Sequence, residues 1–226
     1  MKKESNPVIS NQVGVHENIL PLIERYSMTE FKKPYSEESI KSFKQIREWI
    51  LLNGNKSLIL DMGCGVGESS FHLGKKYSDC LVVGIDKSLD RLERNNSFKK
   101  VLPANILLVR GDLIDLWRMF FENKSDFKIK KQYILYPNPY PKKKHLKLRW
   151  YGQPVFSSIM NLSCPIELRS NWSQYLEDFL YASKAFYPNL DGKVEQFVPE
   201  ICVTPFERKF LNSSQSLYRL VIKPFI

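Results

Sequence analysis

The sequence contains no hydrophobic stretch long enough to cross a membrane. Its longest apolar runs, such as residues 80–83 and 106–109, are four residues each, whereas a transmembrane helix needs about 20. The chain starts with basic residues, but no continuous apolar segment and no small-residue cleavage site follow them. We therefore expect no membrane partner and no secretory signal, and we predict a cytoplasmic protein.

Cysteine is scarce, and its spacing does not suit metal or disulfide chemistry. The four cysteines include no Cys-x-x-Cys pair, which is the spacing typical of structural zinc sites. The chain also has no internal repeat and no low-complexity tract. The sequence thus predicts reduced cysteines, no metal site and an ordinary folded chain. The cysteines are Cys64, Cys80, Cys164 and Cys202.

Positive charge, in contrast, is present in excess. The 226 residues include 34 Lys and Arg against 24 Asp and Glu, a formal net charge of +10. A basic surface attracts the phosphates of nucleic acids or anionic lipid head groups. The length and the 43% hydrophobic content fit one globular domain. The charge alone leaves the class of partner open.

Short apolar runs alternate with helical patterns through the middle of the chain. Residues 57–61, 80–86, 106–109 and 133–136 have the composition of buried strands, and amphipathic segments lie between them. Strands that alternate with helices predict a parallel sheet with helices on both faces.

The two ends of the chain differ from this middle region. A fifth strand is predicted at 166–169, and two late strands at 194–198 and 217–222 suggest an antiparallel C-terminal hairpin. Residues 1–34 show no clear period and contain three prolines. We predict an irregular N-terminal arm over 1–34 and one domain over 35–226.

A glycine-rich turn follows the first predicted strand. Gly63, Gly65 and Gly67 alternate there, with Asp61 two residues before the first glycine. Glycine lets the chain turn tightly and lets the backbone approach a ligand. The Gly-x-Gly-x-Gly spacing differs from the Gly-x-Gly-x-x-Gly of dinucleotide-binding proteins.

Two more carboxylates follow the next strands. Asp86 ends the second strand, where an acid can accept hydrogen bonds from both hydroxyls of a ribose. Asp112 follows the third strand, where an adenine amine would be met. Because the carboxyl ends of parallel strands share one edge of a sheet, these residues predict a nucleoside-binding crevice.

The segment after the fourth strand combines a rigid loop with a run of cations. Two prolines flank Asn138 in the sequence Tyr136-Pro137-Asn138-Pro139-Tyr140, and their fixed backbone lowers the entropic cost of aiming the Asn138 side chain. Five cations follow this loop and predict a phosphate-binding surface. They are Lys142, Lys143, Lys144, Lys147 and Arg149.

These motifs resemble those of a known family. The glycine turn resembles motif I of class I S-adenosylmethionine-dependent methyltransferases. Residues 136–145 are similar to the Phe-Pro-Asp-Pro-Trp-x-Lys-x-Arg-His signature of bacterial tRNA (guanine-N7)-methyltransferases, the TrmB type. Residues 170–175 are similar to the family's Thr-Asp-Trp-x-x-Tyr, and residues 204–209 to its Thr-x-Phe-Glu.

The resemblance implies a fold, a reaction and a set of site residues. It implies a Rossmann-like class I methyltransferase fold, with a mostly parallel seven-stranded sheet and an antiparallel C-terminal hairpin. It implies methylation of guanine N7 in tRNA, at position 46 of the variable loop, by an enzyme that uses S-adenosyl-L-methionine. The oligomeric state stays open between monomer and homodimer. The implied cofactor contacts are Asp61, Gly63, Gly65, Gly67, Asp86, Asp112 and Asn138, with Asn138 also catalytic, and the implied RNA contacts are Lys142, Asn171, Thr204 and Glu207.

The chain departs from the family pattern in the segment that should meet the acceptor. Asn138 and Asn171 stand where the family has Asp, and Tyr140 stands where it has Trp. Asn-Pro-x-Tyr is also similar to a motif of methyltransferases that act on exocyclic amines or amides. Two alternatives therefore remain at this point: a methyltransferase of that second kind, and a tRNA-binding homologue with weakened catalysis.

Overall fold

The chain forms two compact units in the computed structural model, which describes residues 5–94 and 96–223. The central unit is the continuous segment Lys33–Leu135, and the terminal unit combines Met1–Lys32 with Tyr136–Ile226. Residues 1–4 of the predicted arm and residues 224–226 of the predicted domain lie outside the described residues.

The strands form one seven-stranded sheet in the order β3-β2-β1-β4-β5-β7-β6, which confirms the predicted mostly parallel sheet with antiparallel pairing at its C-terminal end. In the described residues no helix has the length and apolar character needed to span a bilayer. The strands are β1 (Leu58–Met62), β2 (Leu81–Asp86), β3 (Ile106–Arg110), β4 (Ile129–Leu135), β5 (Ile166–Ser170), β6 (Asp191–Phe197) and β7 (Leu217–Lys223). The helices are α1 (Ile19–Ser27), α2 (Glu37–Leu52), α3 (Glu68–Lys76), α4 (Leu89–Leu92), α5 (Leu113–Glu122), α6 (Phe156–Asn161), α7 (Ser173–Lys184) and α8 (Pro205–Leu211).

The central unit contains the parallel part of the sheet. Strand β1 pairs in parallel with β2 and β4, and β2 pairs in parallel with β3. Every residue of β1 and β2 is buried, as expected for parallel strands covered on both faces. Helix α2 begins after Ser36, whose side chain accepts a hydrogen bond from the Ser39 backbone N–H and caps the helix.

Strand β4 begins at Ile129 rather than at the predicted Tyr133. Lys130, Lys131 and Gln132 gave its first half a polar appearance in the sequence. Gln132 is nevertheless fully buried. Its Oε1 accepts a hydrogen bond of 3.1 Å from the Trp117 indole N–H, which satisfies the buried amide oxygen. A buried polar side chain with a partner is compatible with a central strand.

The terminal unit contains the antiparallel part of the sheet. Strand β7 pairs antiparallel with both β5 and β6, from Ile166 opposite Ile222 to Phe197 opposite Leu217. Helix α8, which the sequence did not predict, begins after Thr204. The Thr204 side chain accepts a hydrogen bond from the Glu207 backbone N–H, and Pro205 occupies the first turn, where no backbone donor is needed.

The N-terminal arm contains a helix, α1, where the sequence predicted irregular structure. Ile19 and Leu22 lie three residues apart on the buried face of this helix, and the helix packs against α6 and α7 of the same unit. Pro21 does not prevent the helix from forming, because backbone N–H groups in the first turn have no partner within the helix. The three prolines of the arm favoured the prediction of irregular structure over this short amphipathic pattern.

Replacing Gly152 with Ala is expected to destabilise the terminal unit. A Cβ at this position would overlap the Leu146 carbonyl oxygen and lie 2.7 Å from its carbon, and backbone atoms cannot move aside as a flexible side chain can. We expect the free energy of unfolding to fall by about 1–3 kcal/mol, measured by urea denaturation. Glu177→Ala, at an exposed position of α7, is the control, and equal stability of the two variants would contradict the close packing.

Candidate functional site

Asp61 lies near the end of β1 with one oxygen satisfied and one without a partner. Its Oδ2 accepts hydrogen bonds of 2.6 Å from Ser69 Oγ and 2.7 Å from Ser70 Oγ, at the start of α3. Its Oδ1 is buried and has no hydrogen-bond partner in the described structure. Burial raises the pKa of the Asp61 carboxyl to about 6, the two serine hydroxyls oppose that rise, and the negative charge of Asp86 adds to it.

The loop between β1 and α3 has a backbone that only glycine adopts easily. Gly63, Gly65 and Gly67 have φ angles of +92°, +60° and +87°, in the left-handed region. The loop is fixed to β2, because the Gly63 and Cys64 N–H groups donate to the Ile85 carbonyl at 2.8 and 3.0 Å. A Cβ placed at Gly65 would meet no other atom within 4 Å. At Gly65 the loop therefore has open space beside it for a ligand.

Asp86, at the end of β2, holds the glycine loop in place. Its Oδ2 accepts a hydrogen bond of 2.9 Å from the Gly65 N–H, and its Oδ1 accepts one of 2.8 Å from the Ser88 N–H. Arg91 lies 3.7 Å from Oδ2. Each carboxylate oxygen has a second lone pair, so these bonds leave acceptor capacity for a ligand hydroxyl.

Asp112 follows β3 and caps α5. Its side chain accepts a hydrogen bond of 2.9 Å from the Ile114 N–H. Lys33 and Lys87 lie 3.4 and 3.3 Å from its Oδ2. The central unit thus brings the predicted cofactor residues Asp61, Asp86 and Asp112 to the carboxyl ends of three neighbouring parallel strands, where the three glycines form the first turn.

These features of the central unit fit S-adenosylmethionine. An unpartnered, buried carboxylate oxygen is an acceptor for a ligand amino group, since leaving it without a partner costs free energy. The open glycine loop admits a ligand next to the backbone, and Asp86 offers acceptors to ribose hydroxyls. No group of three or more His, Cys, Asp and Glu side chains that could hold a metal occurs within 5–94 and 96–223.

The loop with Asn138 belongs to the terminal unit and is bounded by two strained tyrosines. Tyr136 and Tyr140 have φ angles of +53° and +44°, which are uncommon for bulky residues and cluster at functional sites. Asn138 is exposed, and its Oδ1 accepts a hydrogen bond of 3.4 Å from the Tyr140 N–H. The sequence predicted the rigid prolines but gave no signal for the left-handed tyrosines.

Tyr136 is held by a hydrogen bond to the buried side chain of Glu207. The Tyr136 hydroxyl donates to Glu207 Oε1 at 3.0 Å, and Arg169 Nη1 donates to the same oxygen at 2.7 Å. The Val203 N–H donates to Glu207 Oε2 at 2.7 Å. Glu207 is fully buried and its neighbour Thr204 is nearly so. Contact of these two side chains with RNA stays a prediction. In the structure Glu207 supports the loop through Tyr136, and Thr204 caps the helix that carries Glu207.

Asn171 and Lys142 are the more accessible of the predicted RNA contacts. Asn171 is half-buried, and its side-chain amide donates to Gln215 Oε1 at 2.8 Å. Lys142 is exposed, as are Lys143, Lys144 and Lys147. These lysines lie in or beside a short 3₁₀ segment, Lys143–Leu148.

The prediction of a surface with five cations is wrong for Arg149. This residue is fully buried, and its Nη1 lies 3.2 Å from Asp178 Oδ2 in an ion pair that is itself fully buried. Its Nη1 also donates to Gln12 Oε1 at 2.6 Å, and its Nε donates to the Tyr140 carbonyl at 3.1 Å. A buried, paired guanidinium cannot reach a phosphate, so only the four lysines remain on the surface.

The sequence of α7 carries a signal for this ion pair. Asp178 lies between Tyr175 and Phe179 on the buried face of the helix, where a charge is rare unless it has a partner. The sequence showed the charge on an apolar face. It did not show which cation pairs with it.

The comparisons with known proteins identify the family. The family model described as "Putative methyltransferase" matches residues 55–220. The chain belongs to this methyltransferase family. The matched range includes the glycine loop, the Asn138 loop and the Thr204–Glu207 turn, so the resemblance stated from the sequence motifs is confirmed.

Curated relatives of this methyltransferase are similar over most of its length. A tRNA (guanine-N(7)-)-methyltransferase of Bacillus cytotoxicus is 26% identical over 217 residues, which cover 84% of this chain and 94% of the relative. An enzyme of the same name from Mycoplasma genitalium is 26% identical over 185 residues, which cover 76% of this chain and 86% of the relative.

Solved structures support the methyltransferase fold. A structure described as an antibiotic-related methyltransferase matches with a TM-score of 0.57 at 14% identity, covering 80% of this chain and 94% of that chain. The crystal structure of the 16S rRNA methyltransferase KamB matches with a TM-score of 0.55 at 14% identity, covering 85% and 96%. At this identity the likeness supports the fold alone.

Cofactor affinity is expected to depend on pH through Asp61. A ligand amino group is cationic and binds the ionised carboxyl, so binding below a pKa of about 6 first requires loss of a proton. Affinity for S-adenosylhomocysteine, measured by titration calorimetry, should be nearly constant from about pH 7 to 8 and fall up to about tenfold per pH unit below 6.

Asp61→Asn should bind the same ligand weakly and with little dependence on pH, because it has no proton to lose. Glu48→Gln, at an exposed position of α2, should behave as the unmodified protein does. A pH profile of Asp61→Asn that matches the unmodified protein would show that another group controls binding.

Proposed function

We propose that this methyltransferase transfers the methyl group of S-adenosylmethionine to N7 of a guanine in tRNA, at position 46 of the variable loop. The observation that carries the proposal is the extent of the similarity to relatives named for this activity, up to 85% of the chain. The family match over 55–220 includes both the glycine loop and the Asn138 loop. The basic surface supplies the charge that an RNA substrate requires.

The central unit would hold the cofactor through residues already positioned for it. Asp61 Oδ1 would accept a hydrogen bond from the amino group, Asp86 would accept from the ribose, and Gly63, Gly65 and Gly67 would lie against the nucleoside. The Asp112 region would meet the adenine. When bound, S-adenosylmethionine supplies a methyl group on a positively charged sulfur, and the protein supplies binding, orientation and exclusion of water.

Methylation of guanine N7 requires the protein to align the acceptor and does not require it to remove a proton. Guanine N7 has a lone pair and no proton, so no general base is needed to activate it. The protein must fix the base in line with the transferred group, and such alignment is worth about 7–11 kcal/mol when the geometry is good. A rigid loop suits this task better than a mobile one.

We propose Asn138 as the catalytic residue of this loop. Methyl transfer leaves a positive charge on the guanine, and a carbonyl oxygen near the ring stabilises that charge through its dipole. The flanking prolines and the two left-handed tyrosines keep the loop in one conformation, and Glu207 holds Tyr136 there at 3.0 Å. Glu207 and Thr204 would act as positioning residues, while Lys142 and Asn171 would contact the RNA.

The product nucleoside tests the proposal directly. Incubation of the protein with bulk tRNA and methyl-labelled S-adenosylmethionine, followed by digestion and mass spectrometry, should give labelled 7-methylguanosine. Transcripts with adenosine at position 46 should remain unlabelled. Label in an exocyclic amine would support the alternative methyltransferase, and bound tRNA without label would support the weakened homologue.

Asn138→Asp is expected to raise the rate of transfer. A carboxylate stabilises the developing charge on guanine more strongly than an amide dipole does, so we expect a several-fold higher single-turnover rate at saturating tRNA. Asn138→Ala should be at least about tenfold slower than the unmodified protein. Asn212→Asp adds the same charge at the exposed end of α8 and should change nothing, whereas an equal or lower rate for Asn138→Asp would refute the electrostatic role.

A further inference from the structure

The N-terminal arm and the basic segment, residues 142–149, enclose a cavity that lies wholly in the terminal unit. Its volume is about 770 Å³, within the range of about 300–1,000 Å³ that is typical of ligand sites. One wall is formed by residues 11–25 of the arm, and the other by residues 142–147. The site residues implied by the resemblance do not include the arm.

The arm wall of the cavity is fixed at Lys143. The Lys143 N–H donates to Asn11 Oδ1 at 2.9 Å, and the Lys143 carbonyl lies 3.1 Å from His16 Nε2. His16 Nδ1 accepts from the Asn18 N–H at 3.1 Å, so Nε2 carries the proton and donates to that carbonyl. The arm is therefore bound to the basic segment by directional bonds, and the cavity is a built feature.

The cavity has a cationic rim and an apolar floor. Five cationic side chains line it against one carboxylate, that of Glu17. In the described parts of the chain no carboxylate forms an ion pair with Arg25, Lys142, Lys144 or Lys147. Pro21, Leu22 and Leu146 supply the apolar lining. Cations beside an apolar surface match the chemistry of a nucleotide, whose phosphate is anionic and whose base has an apolar face.

Glu17 is an anion already inside this cationic site. Its Oε1 lies 2.8 Å from Lys143 Nζ, and the hydrogen bond from Lys143 lowers the pKa of the Glu17 carboxyl, which keeps it ionised. Both side chains are largely exposed, so the pair is easily exchanged. A phosphate that reaches Lys143 would replace the Glu17 carboxylate.

We propose that this cavity binds a backbone phosphate and its nucleotide from the tRNA substrate, and that Glu17 competes with that phosphate for Lys143. The inference rests on the proposed function for the identity of the RNA. It adds the arm to the RNA-binding surface. It also assigns to Glu17 an inhibitory contact that weakens binding to RNA.

Removal of cavity cations provides the first test. Arg25→Gln combined with Lys147→Gln should weaken binding to bulk tRNA at least about tenfold at 100 mM salt. It should also lower the magnitude of the slope of log affinity against log salt by about one, because the contact with one phosphate is lost. Lys184→Gln, at an exposed position of α7, should leave affinity and slope within twofold of the unmodified protein.

Glu17→Gln provides a second test. The proposal predicts a gain in tRNA affinity for this variant, which a folding defect would not produce. We expect tRNA to bind about threefold or more tightly, since the phosphate no longer competes with a carboxylate for Lys143. Glu24→Gln removes an equal charge from an exposed position of α1 that does not line the cavity. An equal gain in both variants would reflect net charge alone and would overturn the role of Glu17.

The same measurements separate this proposal from the proposed function. Loss of tRNA affinity in the Arg25 and Lys147 variant, with no methyl transfer by the unmodified protein, would support the cavity and refute the reaction. Normal 7-methylguanosine formation with unchanged tRNA affinity in that variant would refute the cavity and leave the reaction intact. Binding to phosphatidylserine vesicles that depends on Arg25 and Lys147, while tRNA binding does not, would overturn the proposal in favour of a lipid surface.

Discussion

The buried ion pair between Arg149 and Asp178 is the interaction on which the N-terminal arm, the Asn138 loop and the basic segment all depend. Arg149 donates to the Tyr140 and Lys142 carbonyls and to Gln12, while Asp178 accepts from Gln12, from Tyr151 and from the His16 backbone. Removing one partner of such a pair costs about 3–5 kcal/mol, because the other charge stays buried without compensation. One charged pair thus joins the Asn138 loop and the adjoining basic segment to the N-terminal arm, which is distant from them in sequence.

The cations of the basic segment therefore have two different roles. Arg149 lies within the protein and determines the path of the chain, whereas the lysines before it remain on the surface. A guanidinium suits the internal role, since its five donors can bond several acceptors at once. Lysine, with a compact and strongly hydrated charge, suits exchangeable contacts such as that of Lys143 with Glu17. Neighbouring cations of one run therefore have different functions.

The features that sequence predicted well are those determined by neighbouring residues. The strand, the glycine turn and Asp61 lie within ten residues of one another, and local periodicity with backbone freedom is enough to predict their arrangement. Arg149 could not be predicted in the same way, because its burial depends on Gln12 and Asp178, which lie far away in the sequence. The left-handed Tyr136 is likewise held by Glu207, 71 residues later. Helix α1 was missed because its stability comes from packing on α6 and α7, and the prolines dominated the local pattern.

The discontinuous terminal unit has a consequence for biosynthesis. Gln12 and its partner Asp178 are 166 residues apart, so at about 5–20 residues per second the ribosome needs roughly 8–33 s to synthesise the chain between them. Within that interval the central unit, Lys33–Leu135, is completed and can collapse, while the arm still lacks Asp178. The arm is therefore synthesised well before the residues on which it packs. The nascent arm stays exposed to chaperones and proteases until its partners Lys143, Arg149 and Asp178 have been synthesised.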